Sequence, residues 1–120
     1  EQEAAEMEAE ALRMSLLFDY YGELLTEKQR QCFDLHYNQD LSLSEIADAT
    51  GVTRQGVHDA LSRGRLQLIS FEQTLGCIAR DAQLRTAAEE IAACARRLRE
   101  IPAAQEEAEK ILQAVSTLKE

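Results

Sequence analysis

The residues best suited to chemistry lie between positions 53 and 65, where cationic and hydrogen-bonding side chains recur at helical spacing. A helix that turns such side chains toward solvent can contact base edges, and the free amides at its start can hold a phosphate. The predicted nucleic-acid-binding residues are Thr53, Arg54, Gln55, His58, Asp59, Ser62, Arg63 and Arg65. We expect Thr53 to help hold phosphate and Arg54, Gln55 and His58 to reach the bases.

Charge limits how firmly this segment can bind by itself. About three cations near a groove predict a salt slope of roughly −3, whereas firm DNA-binding proteins neutralise on the order of six to ten phosphates. Asp59 either accepts a hydrogen bond from cytosine or repels the backbone. The same side chains would also suit an ordinary solvated helix face. We therefore expect nucleic-acid binding to require a dimer or a protein partner.

Local signals predict that a helix-turn-helix positions these residues. Ala47 supplies a small residue where two helices approach, and Gly51, four positions later, supplies the turn. Ser42 with Glu45 forms a capping box before the first helix, and Thr53 caps the second. The apolar residues that the two helices would share are Ile46, Val52, Val57 and Leu61. The alternative is an ordinary helical hairpin.

The rest of the chain also predicts helices, because it contains one Pro, five Gly and many good helix formers. The expected helices span 4–22, 27–38, 43–50, 54–75, 77–100 and 102–120. We therefore predict an all-α fold in which a helix-turn-helix core over 26–76 follows an N-terminal amphipathic helix over 1–25. A helical extension over 77–120 is expected to pack on the core or on a second subunit.

Apolar stripes at alternating spacings of three and four predict which helix faces are buried. In the first helix the stripe comprises Met7, Ala11, Met14, Leu17, Phe18, Tyr21, Leu24 and Leu25. In the last two helices the stripes comprise Leu84, Ala88, Ile91, Ala95 and Leu98, and Ala108, Ile111, Leu112, Val115 and Leu118. Since a chain this small has little interior to cover every stripe, we expect a homodimer.

Composition argues against several function classes. The net charge is −9, with seven acids against one arginine among residues 1–23, whereas residues 41–68 are balanced. The three cysteines form no C-x-x-C pair, and no nucleophile, phosphate-loop or zinc-protease motif is present. We expect that the protein is not an enzyme and that it binds no cofactor, metal or small-molecule substrate. The sequence contains no run of 18 apolar residues that would indicate membrane insertion, and we expect a cytoplasmic location.

Three segments carry a family resemblance: FDYYGELLTEKQ over 18–29, SLSEIA over 42–47 and VTRQGVHD over 52–59. Across residues 12–76 the chain resembles the YlxM-like family of small bacterial helix-turn-helix proteins, and it is also similar to region 4 of sigma factors. The resemblance implies a regulatory role in the signal recognition particle pathway, with DNA, the particle's RNA or its GTPase as partner. Gly56 departs from the expected Ala, and the Ala-rich tail after Gly76 matches poorly.

Three functions remain open after these observations. The first is a regulatory protein of the protein-targeting pathway that binds nucleic acid or the particle's GTPase. The second is a transcription regulator that binds duplex DNA. The third is a protein-interaction scaffold that binds no nucleic acid.

Overall fold

The computed structural model describes residues 1–118, and every regular element among them is helical. Residues 119–120, the end of the predicted extension, lie outside the described residues. The all-α prediction is therefore confirmed. The α-helices are α1 (Gln2–Tyr21), α2 (Glu27–Phe33), α3 (Leu43–Thr50), α4 (Arg54–Leu75), α5 (Cys77–Leu98) and α6 (Gln105–Leu118).

The chain divides into two compact units, which we call the N-terminal unit (Glu1–Gly76) and the C-terminal unit (Cys77–Glu120). Gly76, where α4 ends, adopts a left-handed conformation with φ of 63°. Glycine takes this conformation without the steric penalty that a Cβ would add.

Phe33 occupies the centre of the N-terminal unit. Its fully buried ring stacks on Phe18 of α1, with centroids 5.6 Å apart, and on Tyr37, with centroids 5.1 Å apart. On its other side the ring lies against Gly64 of α4. Tyr21 ties α1 to α4 by donating a hydrogen bond to the Glu72 carboxylate. The remaining buried apolar residues of this unit include Met14, Leu17, Leu25, Cys32, Ile46, Val57, Ala60, Leu61 and Leu68.

The first half of α1 is not part of this core, contrary to the predicted stripe. Residues 1–13 are all exposed, and Met7 retains 73% of its accessible surface. Burial begins only at Met14, and Leu24 is also exposed. This 20-residue helix is about 30 Å long, and only its second half packs on the core.

The predicted helix over 27–38 is two elements rather than one. After α2 ends at Phe33, residues 34–38 form one π-helical turn, and Asp40 follows with φ of 58°. Leu35, His36 and Tyr37 are consequently only half-buried. Asp34 accepts hydrogen bonds from the side chains of Asn38 and Gln39 across this turn.

The C-terminal unit is a hairpin of α5 and α6, joined by a short turn that contains Pro102 in the first position of a 3-10 helix. The residues buried between the two helices are Ala88, Ala92, Ala95, Ala108 and Val115, with Leu112 half-buried beside them. The predicted stripes were wrong for the larger side chains, because Leu84, Ile91, Leu98, Ile111 and Leu118 stay exposed. This hairpin therefore has a core made almost entirely of alanine.

Two further observations concern the described residues as a whole. None of their helices combines the length and the apolar composition required to cross a membrane. Of the three cysteines, Cys32 is buried, whereas Cys77 and Cys94 are exposed.

Candidate nucleic-acid interface

The helix-turn-helix forms as its local signals predict. The Ser42 hydroxyl accepts from the Glu45 amide, while the Glu45 carboxylate accepts from the Ser42 amide, each at 3.1 Å. Gly51 ends α3 with φ of 75°, and its amide donates to Ala47. Thr53 then caps α4 by accepting from the Gly56 amide at 3.0 Å. These contacts fix where α4 begins.

Burial on one side of α4 determines which of its side chains face solvent. Val57 and Leu61 of α4 are buried, as is Ile46 of α3, whereas Ala47 is half-buried. The opposite side of α4 is exposed, and we call its residues the α4 surface: Thr53, Arg54, Gln55, His58, Asp59 and Arg63. Ser62 is half-buried at the edge of this surface.

The α4 surface is organised by side-chain contacts and borders a shallow groove. Gln55 Nε2 donates to Asp59 Oδ1 at 3.0 Å, and His58 Nδ1 lies 3.8 Å from the same oxygen. The groove, of about 290 Å³, is lined by Arg54, Gln55, His58 and Leu43 of α3. Asp59 is thus held beside its own helix neighbours. It moderates the positive charge of the groove that Arg54 and His58 line.

Arg65 occupies a different environment from the other predicted residues. Its guanidinium Nη2 donates to the Tyr37 hydroxyl at 2.9 Å, and the residue is half-buried. Its Nε is buried, and no acceptor for that atom was found among residues 1–118. Arg65 is therefore held against the π-helical turn, and its charge is less available than that of Arg54 or Arg63.

Lys28, in the first turn of α2, is a cation that the sequence did not lead us to include. Its Nζ lies 3.8 Å from the position that a Cβ on Gly56 would occupy, which places the ammonium at the start of α4. Only the packing of α2 on α4 creates this proximity, since the two residues are 28 positions apart. An indirect signal existed: Thr26 and Gln29 form a capping box that fixes the first turn of α2.

The packing around Gly56 also explains why this position carries no side chain. A Cβ there would stand 2.7 Å from Val52 Cγ1 and 3.1 Å from the Thr53 hydroxyl that caps α4. The segment is therefore closely packed, and an alanine would require Val52 or Thr53 to move. The glycine lets the start of α4 lie against the turn that precedes it.

A second groove of the N-terminal unit has the opposite character. It has a volume of about 530 Å³ and lies between the exposed half of α1 and the π-helical turn. Glu3, Glu6 and Glu10 line it together with the apolar side chains of Met7 and Ala11, and His36 and Tyr37 complete it. We call it the acidic groove. Carboxylates in this arrangement repel phosphate and attract cationic groups.

Comparison with known proteins places this architecture in a family. Residues 8–113 match the model of the UPF0122 family, described as helix-turn-helix proteins like YlxM and p13. The chain belongs to the UPF0122 family. The resemblance to YlxM-like proteins inferred from residues 12–76 is thereby confirmed, and the match extends well into the C-terminal unit.

Similar proteins from bacteria share this description. A UPF0122 protein of Clostridium kluyveri is 54% identical over 66 residues, which is 55% of this chain and 60% of that protein. A UPF0122 protein of Caldanaerobacter subterraneus is 42% identical over 88 residues, or 73% of this chain and 75% of that protein. One from Desulforamulus reducens is 48% identical over 71 residues, or 59% and 61%. The matched part thus spans only about 60% of the Clostridium kluyveri relative.

Proposed function

We propose that this UPF0122 protein regulates the signal recognition particle pathway in the bacterial cytoplasm and binds nucleic acid through the α4 surface. The observation that carries this proposal is the outward projection of Arg54, Gln55 and His58 beside a groove, with Lys28 at the start of the same helix. The backbone amides at the start of a helix favour binding of phosphate, and arginine and glutamine side chains can form hydrogen bonds with base edges. The assignment to this pathway is supported by the resemblance to YlxM-like proteins.

The cation count predicts a modest intrinsic affinity. Lys28, Arg54 and Arg63 supply about three charges, and a half-buried Arg65 adds part of a fourth, so the salt slope should be roughly −3. A homodimer, which we also propose, would present two α4 surfaces and double that number. Both the particle's RNA and duplex DNA offer the required phosphates. A preference for the RNA is what the pathway assignment predicts.

Binding titrations of the full chain against the particle's RNA and against duplex DNA, each at two salt concentrations, test the proposal. Lys28→Ala should weaken binding to both and lower the salt slope by about 1 for each bound protomer, as expected of a phosphate contact. Arg54→Ala should cost about 1–3 kcal/mol and relax sequence preference if it contacts a base. Arg85→Ala, on the exposed surface of α5, is the control that removes the same charge.

The results separate the alternatives. Tighter binding to the RNA supports the targeting role, and tighter, sequence-dependent binding to duplex DNA supports a transcription regulator. If neither nucleic acid binds at about 50 mM salt, where screening is weakest, the α4 surface has no such role.

A second candidate function is protein contact, and the acidic groove favours it. Met7 and Ala11 provide an apolar floor between carboxylates, which suits a cationic amphipathic helix better than a nucleic acid. The particle's GTPase is the partner to test. Replacing Glu6 and Glu10 with Lys should abolish binding of the GTPase, whereas Glu89→Lys and Glu90→Lys on α5 should preserve it. Equal binding by both variants would rule out the acidic groove.

A further inference from the structure

The exposed apolar residues of the C-terminal unit follow a second regular pattern beside the alanine core. On α5 they recur at spacings of three and four, and the same spacings repeat over the same length from the 3-10 turn into α6, with one glutamate among them. The positions are Leu84, Ala87, Ile91, Cys94 and Leu98 on α5, half-buried Ala104 at the end of the 3-10 turn, and Glu107, Ile111, Ala114 and Leu118 on α6. Alternating spacings of three and four over two heptads are the pattern of a coiled-coil seam. We call these ten positions the outer seam.

Both halves of the outer seam lie on one side of the hairpin. In each helix the exposed stripe is rotated from the buried stripe in the same sense, since Ile91 precedes buried Ala92 and Ile111 precedes half-buried Leu112. In two antiparallel helices, exposed stripes that are rotated from the buried stripes by the same amount and in the same sense lie on the same side of the plane that contains both helix axes. The outer seam is therefore one continuous face rather than two separate edges.

The composition of this face differs from that of the rest of the hairpin. Its five large aliphatic side chains retain between 36% and 63% of their accessible surface. Glu107 is the one charged residue among the ten positions, and its carboxylate lies 3.4 Å from Lys110 Nζ. The alanine core inside the hairpin buries little apolar area by comparison. A two-helix unit of this size needs more burial than such a core supplies.

We infer that the outer seam binds the outer seam of a second copy of this chain, which forms a four-helix bundle. This inference names the interface of the homodimer proposed above and rests on that proposal. The seam is self-complementary. Both stripes are centred on an isoleucine, and the neighbours of these two isoleucines meet in one cluster, since Leu112 packs against the buried cluster of Ala88, Ala92 and Val115. A two-fold axis at the level of this cluster pairs Ile91 with Ile91, Ile111 with Ile111, and Leu84 with Leu98 of the other copy.

The exposed side chains also suit a second copy. Each copy contributes five large aliphatic side chains that keep between 36% and 63% of their accessible surface, so a symmetric pair brings ten of them together. In this arrangement α5 packs antiparallel on α5, and α6 packs antiparallel on α6, as in four-helix bundles built from helical hairpins.

Sedimentation velocity of the full chain over a concentration series tests the inference. We expect the wild-type chain to be dimeric, and the double variant Ile91→Glu with Ile111→Glu to dissociate at least about 100-fold more readily, since four carboxylates would enter an apolar seam. Ala93→Glu adds a charge to an exposed position of α5 outside the seam and should leave the dimer intact. Far-UV circular dichroism establishes that both variants are helical.

Alkylation of the unmodified chain provides a second measurement that needs no variant. Cys94 lies within the outer seam and is exposed. Its alkylation rate at a fixed excess of reagent should fall several-fold when protein concentration rises from about 1 to about 100 µM, as mass action fills the dimer.

Three results would overturn the inference: a monomeric wild-type chain at the highest concentration, a double variant as dimeric as Ala93→Glu, or a Cys94 rate independent of concentration. The nucleic-acid titrations separate this failure from failure of the α4 surface. A double variant that is monomeric yet binds nucleic acid with about half the wild-type salt slope supports both proposals.

Discussion

At the residue scale, the glycines inside α4 mark places where another part of the molecule approaches the helix. A Cβ on Gly64 would stand 2.6 Å from Phe33 Cε2, and Phe33 is fully buried between two other aromatic rings. The ring therefore has little room to move away. Gly64 lies on the buried side of α4, and only the structure identifies Phe33 as the side chain that requires a glycine there.

Gly64→Ala should consequently destabilise the protein even though alanine is the better helix former. Overpacking a well-filled core typically costs ~1–3 kcal/mol, and alanine returns up to ~1 kcal/mol of helix propensity. We expect a net loss of about 1–2 kcal/mol in the free energy of unfolding, measured by urea denaturation. Gln67→Ala, on the exposed side of α4, should change it by less than about 0.5 kcal/mol. A Gly64→Ala variant more stable than wild type would show that Phe33 has space to repack.

The predicted nucleic-acid residues illustrate how much of a site one sequence reveals. Helical spacing correctly separated exposed Arg54 and His58 from buried Val57 and Leu61, because exposure and burial along one helix both follow its periodicity. Spacing gave no information on Lys28, which reaches α4 only through tertiary packing. Nor did it reveal that Tyr37 holds Arg65, since a contact between residues 28 positions apart leaves no local signal.

At the element scale, helix ends were predicted better than helix faces. The capping box of Ser42 with Glu45, the Thr53 cap and the turn at Gly51 form as predicted, because each depends on residues within four positions of one another. The predicted stripe of α5 combined two different faces. Ala88 and Ala95 belong to the buried seam of the hairpin, whereas Leu84, Ile91 and Leu98 belong to the outer seam. Periodicity indicates that an apolar face exists but does not identify the surface that covers it.

The capping box of α3 predicts a pH-dependent contribution to stability. The Ser42 backbone amide, followed by the Ser42 hydroxyl contact, lowers the pKa of Glu45 below its ordinary value. A carboxyl whose pKa is lower in the folded state stabilises the fold above its unfolded pKa, and this stabilisation is lost as the pH falls through the folded pKa. Protonation of Glu45 should therefore weaken the start of the helix-turn-helix at acidic pH.

Glu45→Gln isolates this contribution, because glutamine can still accept the Ser42 amide hydrogen bond but carries no charge. The difference in Tm between wild type and the variant should be largest near about pH 7 and should shrink toward zero below about pH 4. Glu89→Gln, an exposed carboxylate of α5, controls for loss of one negative charge. If the Tm difference is the same at acidic pH, it arises from the changed shape of the side chain and not from its ionisation.

At the scale of the whole molecule, negative charge and candidate binding surface are separated along the chain. Seven acids and one arginine lie among residues 1–23, and the first 13 of these residues are exposed on α1. The cations of the α4 surface and Lys28 belong to other elements of the same unit. The contacts that we propose to hold phosphate are therefore short-range and local, whereas the field that an approaching nucleic acid would meet is set largely by net charge.

This separation predicts that part of the negative charge can be removed without changing the bound contacts. A variant in which Glu1, Glu8 and Glu23 are replaced by Gln should bind nucleic acid several-fold faster at about 20 mM salt, because the Debye length is then roughly 20 Å and the repulsion reaches an approaching nucleic acid. The gain should fade near about 300 mM salt, where the field is screened. Dissociation rates should stay unchanged, since none of these residues belongs to the α4 surface.

Stopped-flow association and dissociation rates at both salt concentrations measure the two effects separately. Slower dissociation of the variant would instead mean that α1 itself touches the bound nucleic acid, and the interface would then have to include the acidic half of that helix.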